Sequence, residues 1–516
     1  MLKLSLFILL LAPAAKFAWQ CRQMPEFGYL HDDGIFFVSA KSAAEGSYRI
    51  ESLPEEPAQT KYPPLYPLYL SIIWRIDPHF PQNLELATWF SFALLPPFLW
   101  MAWIHYRRDL DEPRAWLLTA LLAVNPYIVL FGCRMFSEIF FTGWLLAVFL
   151  AIARPGLRMA LLAGVLAGCA YLSRTAGIAL LISVPAVLLW KKEVRRAAAF
   201  AGAMLPFVAG WMLWTRAHGL HSADTTLTYY TDYLRFEFLN VGKDNFFKVL
   251  WVNFDQTLWA MGALVLRDFR PLMAANILTR LCAAAMISGV VRLVRRGLCL
   301  QYAAFAIPSV GMLLVWHYPP TERFVLPLFP LLLAGLWTEL EHLAAMIRGA
   351  LHHKDAGQRV VAGAMALAGA AFCVFALYLQ TSGSLINLRL SAEGHLSKLG
   401  EERAAYAWID KNLPRSATLL SYDDPLLYLY TGRRGNYLPI LPRWWYAEDA
   451  GSMVGAYKDL NAYCHRRGLQ YVYFGDNDLG REFGDVLRDR VLSEVKSEAG
   501  LTPLHKMPEG VIYKVD

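Results

Sequence analysis

The sequence predicts a polytopic α-helical membrane protein with a C-terminal extracytoplasmic α/β domain, and three observations support this fold class. Of its 516 residues, 56% are hydrophobic and 18% are charged, whereas soluble domains carry about 25% charged residues. The 17 Trp and 25 Tyr suit a protein that meets two membrane–water interfaces. Apolar runs close to the roughly 20 residues that a membrane helix needs recur before the tail. Together these features exclude a disordered chain, a coiled coil and an ordinary cytosolic enzyme.

About eleven segments are predicted to be transmembrane helices. The first contains the small residues Ala12, Pro13 and Ala14, which also occur at signal-peptide cleavage sites. Because a long series of further spans follows, an uncleaved anchor is the preferred interpretation. The predicted spans lie near residues 2–20, 84–105, 115–131, 138–153, 158–173, 176–190, 197–215, 272–291, 299–316, 325–343 and 360–380.

The charges of the loops predict the orientation of these spans. Every second loop is rich in basic residues, among them Arg107, Arg108, Lys191, Lys192, Arg295 and Arg296. The positive-inside rule places those loops in the cytoplasm, so the N-terminus is inside and the C-terminus outside. The net charge of +7 is assigned to these loops and not to a nucleic-acid partner. The seven cysteines show no CxxC pair and no zinc spacing, so neither a disulfide framework nor a structural metal site is expected.

The chain is predicted to divide into a transmembrane domain, residues 1–380, and an extracytoplasmic α/β domain, residues 381–516. The first domain has two long outer loops, at 21–83 and 216–271. The tail contains a helical pattern, EERAAYAWIDKNLP, and two strand-like runs, ATLLSY and LQYVYFGD. Their alternation predicts a small mixed domain outside the membrane.

Two segments of the first outer loop carry candidate chemistry. Asp32 and Asp33 are adjacent carboxylates that can bind a divalent cation, or one of them can accept a proton from a nucleophile. A solvated turn is the alternative, because Asp and Gly favour turns. Lys61 precedes Pro63 and Pro64, and a lysine there can serve as a point charge for a phosphate. A proline-rich connector with an interfacial lysine is the alternative.

Three further charged residues are predicted at the outer ends of spans. A carboxylate such as Glu138 at the end of a membrane span costs free energy unless it is paired or binds a metal. Arg134, four residues earlier, is one available partner. Arg174 and Arg323 are candidates for a phosphate, although interfacial arginines commonly snorkel towards water. Glu322 is also able to neutralise its neighbour Arg323.

Other patterns are weaker. His218, His221 and Asp224 form a possible ligand cluster, but their spacing fits no strong metal motif. The pair 423–424 predicts a turn or a helix start. The glycines between 164 and 168 predict close helix packing within a span.

The candidate acids and cations share one predicted location, the outer membrane face. None of them is predicted on the cytoplasmic side. Such a set suits a substrate with a lipid tail, a phosphate at the interface and a reacting group outside the membrane.

In its motifs and in their order along the chain, the sequence resembles the GT-C glycosyltransferases. It is most similar to the bacterial branch related to protein O-mannosyltransferases and to the enzymes that transfer aminoarabinose to lipid A. The resemblance rests on short motifs that occur in the same order over most of the chain: HDDGIFFVSAKSAAEG, KYPPLYPLYL, NPYIVLFGCRMFSE, YLSRTAGIALL, TERF and SYDDPLLYLYTGRR.

The resemblance implies transfer of a sugar from a polyprenyl-phosphate donor on the outer face, with inversion at the anomeric carbon. It maps the catalytic base or a metal ligand onto Asp32 or Asp33, and a second acid onto Glu138. This chain has Asp-Asp where the mannosyltransferases tend to have Asp-Glu, which leaves open which acid is the base. A divalent cofactor, Mg²⁺ or Mn²⁺, is expected on Asp33 and Glu138.

The resemblance also maps phosphate binding onto Lys61 and, less directly, onto Arg174 and Arg323. Trp251 and Trp259 are expected either to line the sugar cleft or to anchor the chain at the interface. The implied partners are a polyprenyl-phosphate-linked sugar, membrane lipids and a lipid, polysaccharide or protein acceptor, with no nucleic acid. The implied location is the bacterial inner membrane.

Two other functions compete with sugar transfer. A transporter or flippase of lipid-linked sugars should carry midplane polar residues and paired broken helices. Here the charged candidates gather at one predicted face, and the sequence shows no inverted repeat. A non-catalytic membrane protein with an outer binding domain would leave the His31–Gly34 and Lys61–Pro64 segments unexplained.

Overall fold

The computed structural model describes most of the chain: residues 2–28, 30–220, 222, 224–232, 235–236, 241–267, 273–353, 355–475, 478–508 and 510–516. Its N-terminal part is helical. The helices there are α1 Leu2–Leu10, α2 Ala12–Gln20, α3 Asp32–Ala44, α4 Leu65–Ile76, α5 Leu84–Phe92, α6 Leu95–Asp109, α7 Glu112–Ala123, α8 Pro126–Gly132, α9 Ser137–Ile152, α10 Leu157–Ser173, α11 Ala179–Trp190, α12 Val194–His218 and α13 Thr225–Thr231.

The helices continue beyond residue 241 and lead into a domain that contains strands. The remaining helices of the first domain are α14 Phe246–Leu266, α15 Met273–Arg295, α16 Leu300–Leu314, α17 Glu322–Val325, α18 Phe329–Leu351, α19 Ala356–Ser382 and α20 Leu388–Asn412. The elements that follow are β1 Thr418–Ser421, α21 Asp424–Thr431, β2 Arg434–Asn436, α22 Pro442–Ala447, α23 Ala450–Gly455, α24 Leu460–Arg467, β3 Tyr471–Gly475, α25 Gly480–Ser497, β4 Leu501–Met507 and β5 Gly510–Val515.

The predicted architecture, a polytopic helical membrane protein followed by a C-terminal α/β domain, is confirmed. Among the described residues, the helical stretches long and apolar enough to span a membrane are Lys3–Gln20, Leu84–Asp109, Val194–His218, Lys243–Leu266, Met273–Arg295, Glu322–Leu351 and Ala356–Leu396. The helices α7 and α8 would form one further span, bent by 64°. Shorter apolar helices, including α9, α10 and α16, occupy the other predicted positions. The bend follows from Asn125, whose extended backbone ends α7 and whose side chain caps α8.

Helix α14 was not predicted as a span, because its sequence lies in the loop 216–271. It contains Asp255, and this charge is neutralised by a bidentate pair with Arg280 of α15, at 2.7 and 2.6 Å. At one end, Lys248 pairs with Glu448 of the C-terminal domain at 2.8 Å. Near the other end, the Leu264 carbonyl accepts hydrogen bonds from Asn125 and Gln380. The helix is therefore held between the C-terminal domain and the ends of α7 and α19.

Glycines allow close helix contacts, as predicted for the stretch within α10. A Cβ on Gly164 would lie 2.3 Å from the carbonyl oxygen of Phe200, and one on Gly168 would lie 2.4 Å from the Phe207 ring. Both phenylalanines belong to α12. These contacts confirm that the two glycines serve helix packing.

The C-terminal domain is built on a five-stranded mixed sheet in the order β2-β1-β3-β5-β4. Strand β1 pairs in parallel with β2 and β3, while β5 runs antiparallel to β3 and β4. Its interior is apolar, with Leu420, Val472 and Val491 fully buried. The predicted domain boundary at residue 381 falls inside the helical stretch Ala356–Leu396.

The C-terminal domain packs directly on the loop 21–83. Helix α21 meets the start of α3, where a Cβ on Gly34 would lie 2.8 Å from Pro425. Gly28 has a φ of +90°, and a Cβ there would lie 2.5 Å from Leu426, which is itself buried. Burial of one leucine contributes about 1.5–3 kcal/mol. These two glycines thus let α21 approach the segment that carries Asp32.

Candidate active site

Four charged side chains from distant parts of the sequence form one chain of ion pairs, here called the acid–arginine chain: Asp32, Arg323, Glu138 and Arg174. Arg323 donates from Nη1 to Asp32 Oδ2 at 2.6 Å and from Nε to Glu138 Oε1. Arg174 donates from Nη1 to the same Glu138 oxygen at 2.5 Å. The structure therefore brings together four of the six residues that the sequence nominated.

Local structure places each member of the acid–arginine chain at a helix end. Asp32 and Glu138 lie in the first turns of α3 and α9, where the helix dipole favours negative charge. Arg323 lies in the short helix α17, and Arg174 follows the last residue of α10. The helix ends converge because the helices pack against one another.

Glu138 is the centre of the acid–arginine chain and is fully buried. A buried carboxylate is strongly destabilising unless it is paired, and Oε1 accepts from both arginines. Its other oxygen, Oε2, has no hydrogen-bond partner among the residues that the structure describes. The alternative prediction, that Arg134 pairs with Glu138, is wrong, because Arg134 pairs with Glu26. Pairing across the fold has replaced the local i,i+4 pair.

Asp32 faces a large cavity and is held ionised. Tyr62 donates its hydroxyl to Oδ1, while Arg323 binds Oδ2. Burial alone would raise the pKa of Asp32, but the Arg323 guanidinium, the Tyr62 hydroxyl and the Lys61 ammonium lower this pKa well below its ordinary value. Asp32 is therefore an anion throughout the neutral pH range.

Asp33 points elsewhere and has a different environment. Its Oδ2 accepts the Gly28 backbone N–H at 2.9 Å, and its Oδ1 accepts that of Gly34 at 3.0 Å. Burial raises the pKa of Asp33 to about 6 despite these two hydrogen bonds, and the nearby Asp32 charge adds to the rise. Its carboxylate thus fixes the backbone around the start of α3.

The expected metal ligands do not make a ligand set. Both Asp33 oxygens accept backbone amides, and the charge of Glu138 is neutralised by two arginines at one of its oxygens. Within the part of the chain that the structure describes, the group of acids close enough to hold an ion is Glu402, Asp423 and Asp478, in the C-terminal domain. The residues nominated for Mg²⁺ or Mn²⁺ therefore do not fit that cofactor.

Lys61 is buried beside the acid–arginine chain. Its Nζ lies 3.9 Å from the centroid of the Tyr229 ring, a cation–π geometry, and 5.8 Å from that of Tyr62. The Gln59 side chain accepts the backbone N–H groups of both Lys61 and Tyr62, at 3.0 and 3.1 Å. Gln59 in turn donates to Ser39 of α3 at 2.9 Å. This network holds the Lys61 turn against the helix that carries Asp32.

A cavity of about 1670 Å³, here called the central cavity, joins these residues. Asp32, Lys61, Arg174 and Arg323 all line it. Between the apolar helices its wall is lined by side chains such as Phe141, Ile178, Phe305, Met312 and Leu328. On the side of the C-terminal domain its wall includes Tyr437, Ile440 and Trp445. The cavity therefore offers an apolar channel, a charged centre and an aromatic wall.

Several predicted candidates lie away from this centre. Over the described residues, the wall of the central cavity includes neither Trp251, which is exposed, nor Trp259, which is buried elsewhere. His218 binds the Trp214 carbonyl, and Asp224 caps α13, while His221 lies outside the described residues. The helix start predicted at 423–424 is confirmed as the beginning of α21.

Sequence reasoning missed several residues that build the site. Tyr62 and Gln59 flank Lys61 in the sequence, and that proximity was the available signal. Tyr229 lies in the loop 216–271 and reaches Lys61 only through the fold. His31 adjoins the acidic pair, yet it binds Asp424, 393 residues away, at 3.0 Å. A single sequence carries no sign of such a contact.

The fold is that of a polytopic helical membrane protein with a C-terminal α/β domain, as the resemblance predicted. A crystal structure of ArnT from Cupriavidus metallidurans bound to undecaprenyl phosphate shares the fold, with a TM-score of 0.50, 13% sequence identity and coverage of 94% of this chain and 93% of that one. ArnT in the apo state gives a TM-score of 0.48 at 13% identity, with the same coverage. Neither a protein-family model nor a curated protein matches the sequence.

Proposed function

We propose that the chain is a glycosyltransferase that moves a sugar from a polyprenyl-phosphate donor to an envelope acceptor, with inversion at the anomeric carbon. One observation carries the proposal: the acid–arginine chain and Lys61 meet in a cavity that continues between apolar helices. The fold shared with ArnT, which was solved with undecaprenyl phosphate, supports a lipid phosphate as the donor's leaving group.

The cations of the central cavity bind the donor phosphate in this proposal. Arg174 and Arg323 present guanidinium groups, which match phosphate oxygens in pairs, and Lys61 adds a point charge. When the bond from the sugar to the phosphate breaks, negative charge grows on the leaving phosphate. Fixed cations in a cavity poor in water stabilise that charge more than water does. The polyprenyl tail lies along the apolar part of the wall.

Asp32 is the proposed base, and it accepts the proton of the acceptor hydroxyl. In the free protein, Arg323 makes Asp32 a weak base, because it lowers the carboxyl pKa. When the donor phosphate engages Arg323, that guanidinium is shared between two anions. The pKa of Asp32 then rises, and its carboxylate becomes a stronger base once the donor is bound. Asp33 has no part in the chemistry and maintains the local backbone.

We also propose a location in the bacterial inner membrane, with the N-terminus in the cytoplasm and the C-terminal domain outside. The alternation of basic loops supports this orientation. The acid–arginine chain then lies at the outer face, where lipid, polysaccharide and protein acceptors of the envelope are available.

Membranes from a host that overproduces the protein provide the test. Extracts of polyprenyl-phosphate-linked sugars are added, and envelope glycans and remaining donors are compared by mass spectrometry with those from a deletion strain. The expected result is a glycan present only with the active protein and absent with Asp32→Asn. Movement of lipid-linked sugar across sealed vesicles without any new glycosidic bond would instead favour a flippase and contradict the proposal.

A further inference from the structure

A second polar cluster lies next to the central cavity and joins three parts of the chain. His31 comes from the loop 21–83, Tyr229 from α13 and Asp424 from the first turn of α21. The His31 Nε2 atom lies 3.0 Å from Asp424 Oδ1, and the Tyr229 hydroxyl lies 3.3 Å from His31 Nδ1. Both His31 and Asp424 are buried, Asp424 fully so.

The backbone at His31 shows that the surroundings hold this residue in place. Its φ of +62° is a left-handed conformation that a side chain disfavours, and it immediately precedes Asp32 and helix α3. Such a conformation persists only where neighbouring contacts determine it. The contact with Asp424 comes from the C-terminal domain, whose helix α21 already packs on Gly34.

The hydrogen-bond directions follow from the chemistry of imidazole. When Nε2 carries the proton and donates to the Asp424 carboxylate, Nδ1 is an acceptor. The Tyr229 hydroxyl then donates to Nδ1, which fixes the orientation of the Tyr229 ring. That ring lies 3.9 Å from Lys61 Nζ and also lines the central cavity. A continuous path thus leads from the C-terminal domain to a proposed phosphate-binding lysine.

We propose that His31 and Asp424 are positioning residues, through which the C-terminal domain fixes Tyr229 against Lys61 and so sets the affinity of the site for a lipid phosphate. This inference rests on the proposed function and adds to it a role for the C-terminal domain. Among the described residues, neither His31 nor Asp424 is part of the wall of the central cavity. Without the pair, the Tyr229 hydroxyl loses the hydrogen bond that aligns its ring with the Lys61 ammonium, and the cation–π contact weakens.

The experiment measures the dissociation constant of undecaprenyl phosphate for the purified full-length protein in lipid nanodiscs. Asp424→Ala removes the acceptor of His31, and an increase of about tenfold in the dissociation constant is expected, a coupling within the usual range for contacting residues. Asp424→Asn keeps a neutral acceptor oxygen and should restore most of the affinity. Tyr229→Phe should weaken binding to a similar extent, and the double variant Asp424→Ala/Tyr229→Phe should be no weaker than either single variant.

Tyr463→Phe is the matched control. The Tyr463 hydroxyl makes a 2.6 Å hydrogen bond to Thr226 in α13. This bond also joins the C-terminal domain to α13, but it does not involve His31. Its dissociation constant should stay within about twofold of the wild-type value, whereas an equal loss of affinity would show a general interface effect and overturn the inference. Additive effects of Asp424→Ala and Tyr229→Phe, or unchanged binding by Asp424→Ala at a normal melting temperature, would also overturn it. If the wild-type protein binds no undecaprenyl phosphate, the proposed function fails and this inference falls with it.

Discussion

Two carboxylates are buried, Glu138 in the helix bundle and Asp424 in the C-terminal domain, and different partners stabilise each of them. Each uses one oxygen for two donors, and in each the other oxygen has no hydrogen-bond partner among the described residues. Glu138 is bound by two arginines, whereas Asp424 is bound by His31 and the Tyr230 hydroxyl. The first arrangement keeps full charges in a region of low dielectric, and the second depends on directional hydrogen bonds.

The two carboxylates therefore differ in role: the pairs of Glu138 hold charge, and the hydrogen bonds of Asp424 hold geometry. Guanidinium groups that already face the cavity can rearrange around an arriving anion, because their charge does not depend on one partner. A histidine between a carboxylate and a phenol holds a fixed geometry, since each contact has a single direction. We therefore expect changes around Glu138 to affect charge and chemistry, and changes around Asp424 to affect the placement of neighbouring groups.

The largest expected effect comes from Asp32, the anion at the cavity end of the acid–arginine chain. Asp32→Asn removes the proposed base and should reduce the rate of sugar transfer by about 10²–10⁴-fold, the usual contribution of such a group. The protein level should hold, because Arg323 keeps Glu138 as a partner. Initial rates in membranes with matched protein amounts measure the effect. Glu85→Gln, which alters an exposed acid paired with Arg22 away from the central cavity, is the control and should stay within about threefold of wild type.

Glu138→Gln tests the charged side of the comparison through stability. It leaves two buried guanidinium groups with one fewer anion, and loss of one partner from a buried pair costs about 3–5 kcal/mol. Denaturant unfolding in detergent micelles measures the change in the free energy of unfolding. Glu26→Gln breaks the Arg134 pair, which involves a single cation, and a smaller loss is expected there. Equal losses in the two variants would show that Glu138 is an ordinary structural partner.

The pH dependence of stability distinguishes Asp33 from its neighbour. Because the native pKa of Asp33 is raised to about 6, its protonated form is favoured in the folded state. Its contribution to stability is present below the unfolded pKa near 4 and is lost as the pH rises to about 6, at most about 3 kcal/mol. The contribution of Asp32 to stability depends on pH in the opposite direction, because its native pKa is lowered. That contribution is lost only as the pH falls below about 4.

A pH series of melting temperatures between 4 and 7 checks this expectation for wild type and Asp33→Asn. The variant should lack the downward slope seen in wild type. It should also be less stable at low pH, because its amide N–H₂ group must face one of the two backbone N–H donors. A slope that persists in Asp33→Asn would assign it to another group.

Lys61→Ala is expected to weaken binding of the lipid-phosphate donor by about tenfold. The substitution removes one of three cations from the cavity wall, while the two arginines remain. Titration with undecaprenyl phosphate measures the effect. Lys16→Ala removes a lysine whose ammonium binds the Leu385 carbonyl outside the cavity, and its affinity should match wild type. Unchanged binding in both variants would remove Lys61 from the phosphate site.

The smallest effect is expected from chelation. Since both Asp33 oxygens accept backbone amides and two arginines already neutralise Glu138, addition of EDTA should leave the rate of transfer in membranes unchanged. A loss of activity that Mg²⁺ or Mn²⁺ restores would contradict this expectation and return a metal to the mechanism.

Much of the candidate site was accessible from the sequence, because charged residues are rare in apolar chains and therefore conspicuous. Glu138 could be named from the cost of an unpaired charge near a membrane, Asp32 from its adjacent carboxylate, and Lys61 from its place before two prolines. Their partners could not be named, and the local pair expected for Glu138 was wrong. Helix α14 was missed because its sequence was assigned to the outer loop 216–271, and its pair between Asp255 and Arg280 forms only in the folded protein.

By itself the sequence determined the fold class, the approximate positions of most helices and the residues whose charge required an explanation. Hydrophobic runs and turn residues are local properties, so they can be read along the chain. Only the tertiary structure decided that Asp32 faces the cavity while Asp33 caps the backbone, and that Asp424 reaches His31 across 393 positions. Those outcomes depend on which helix ends meet, and that is set by packing over the whole molecule.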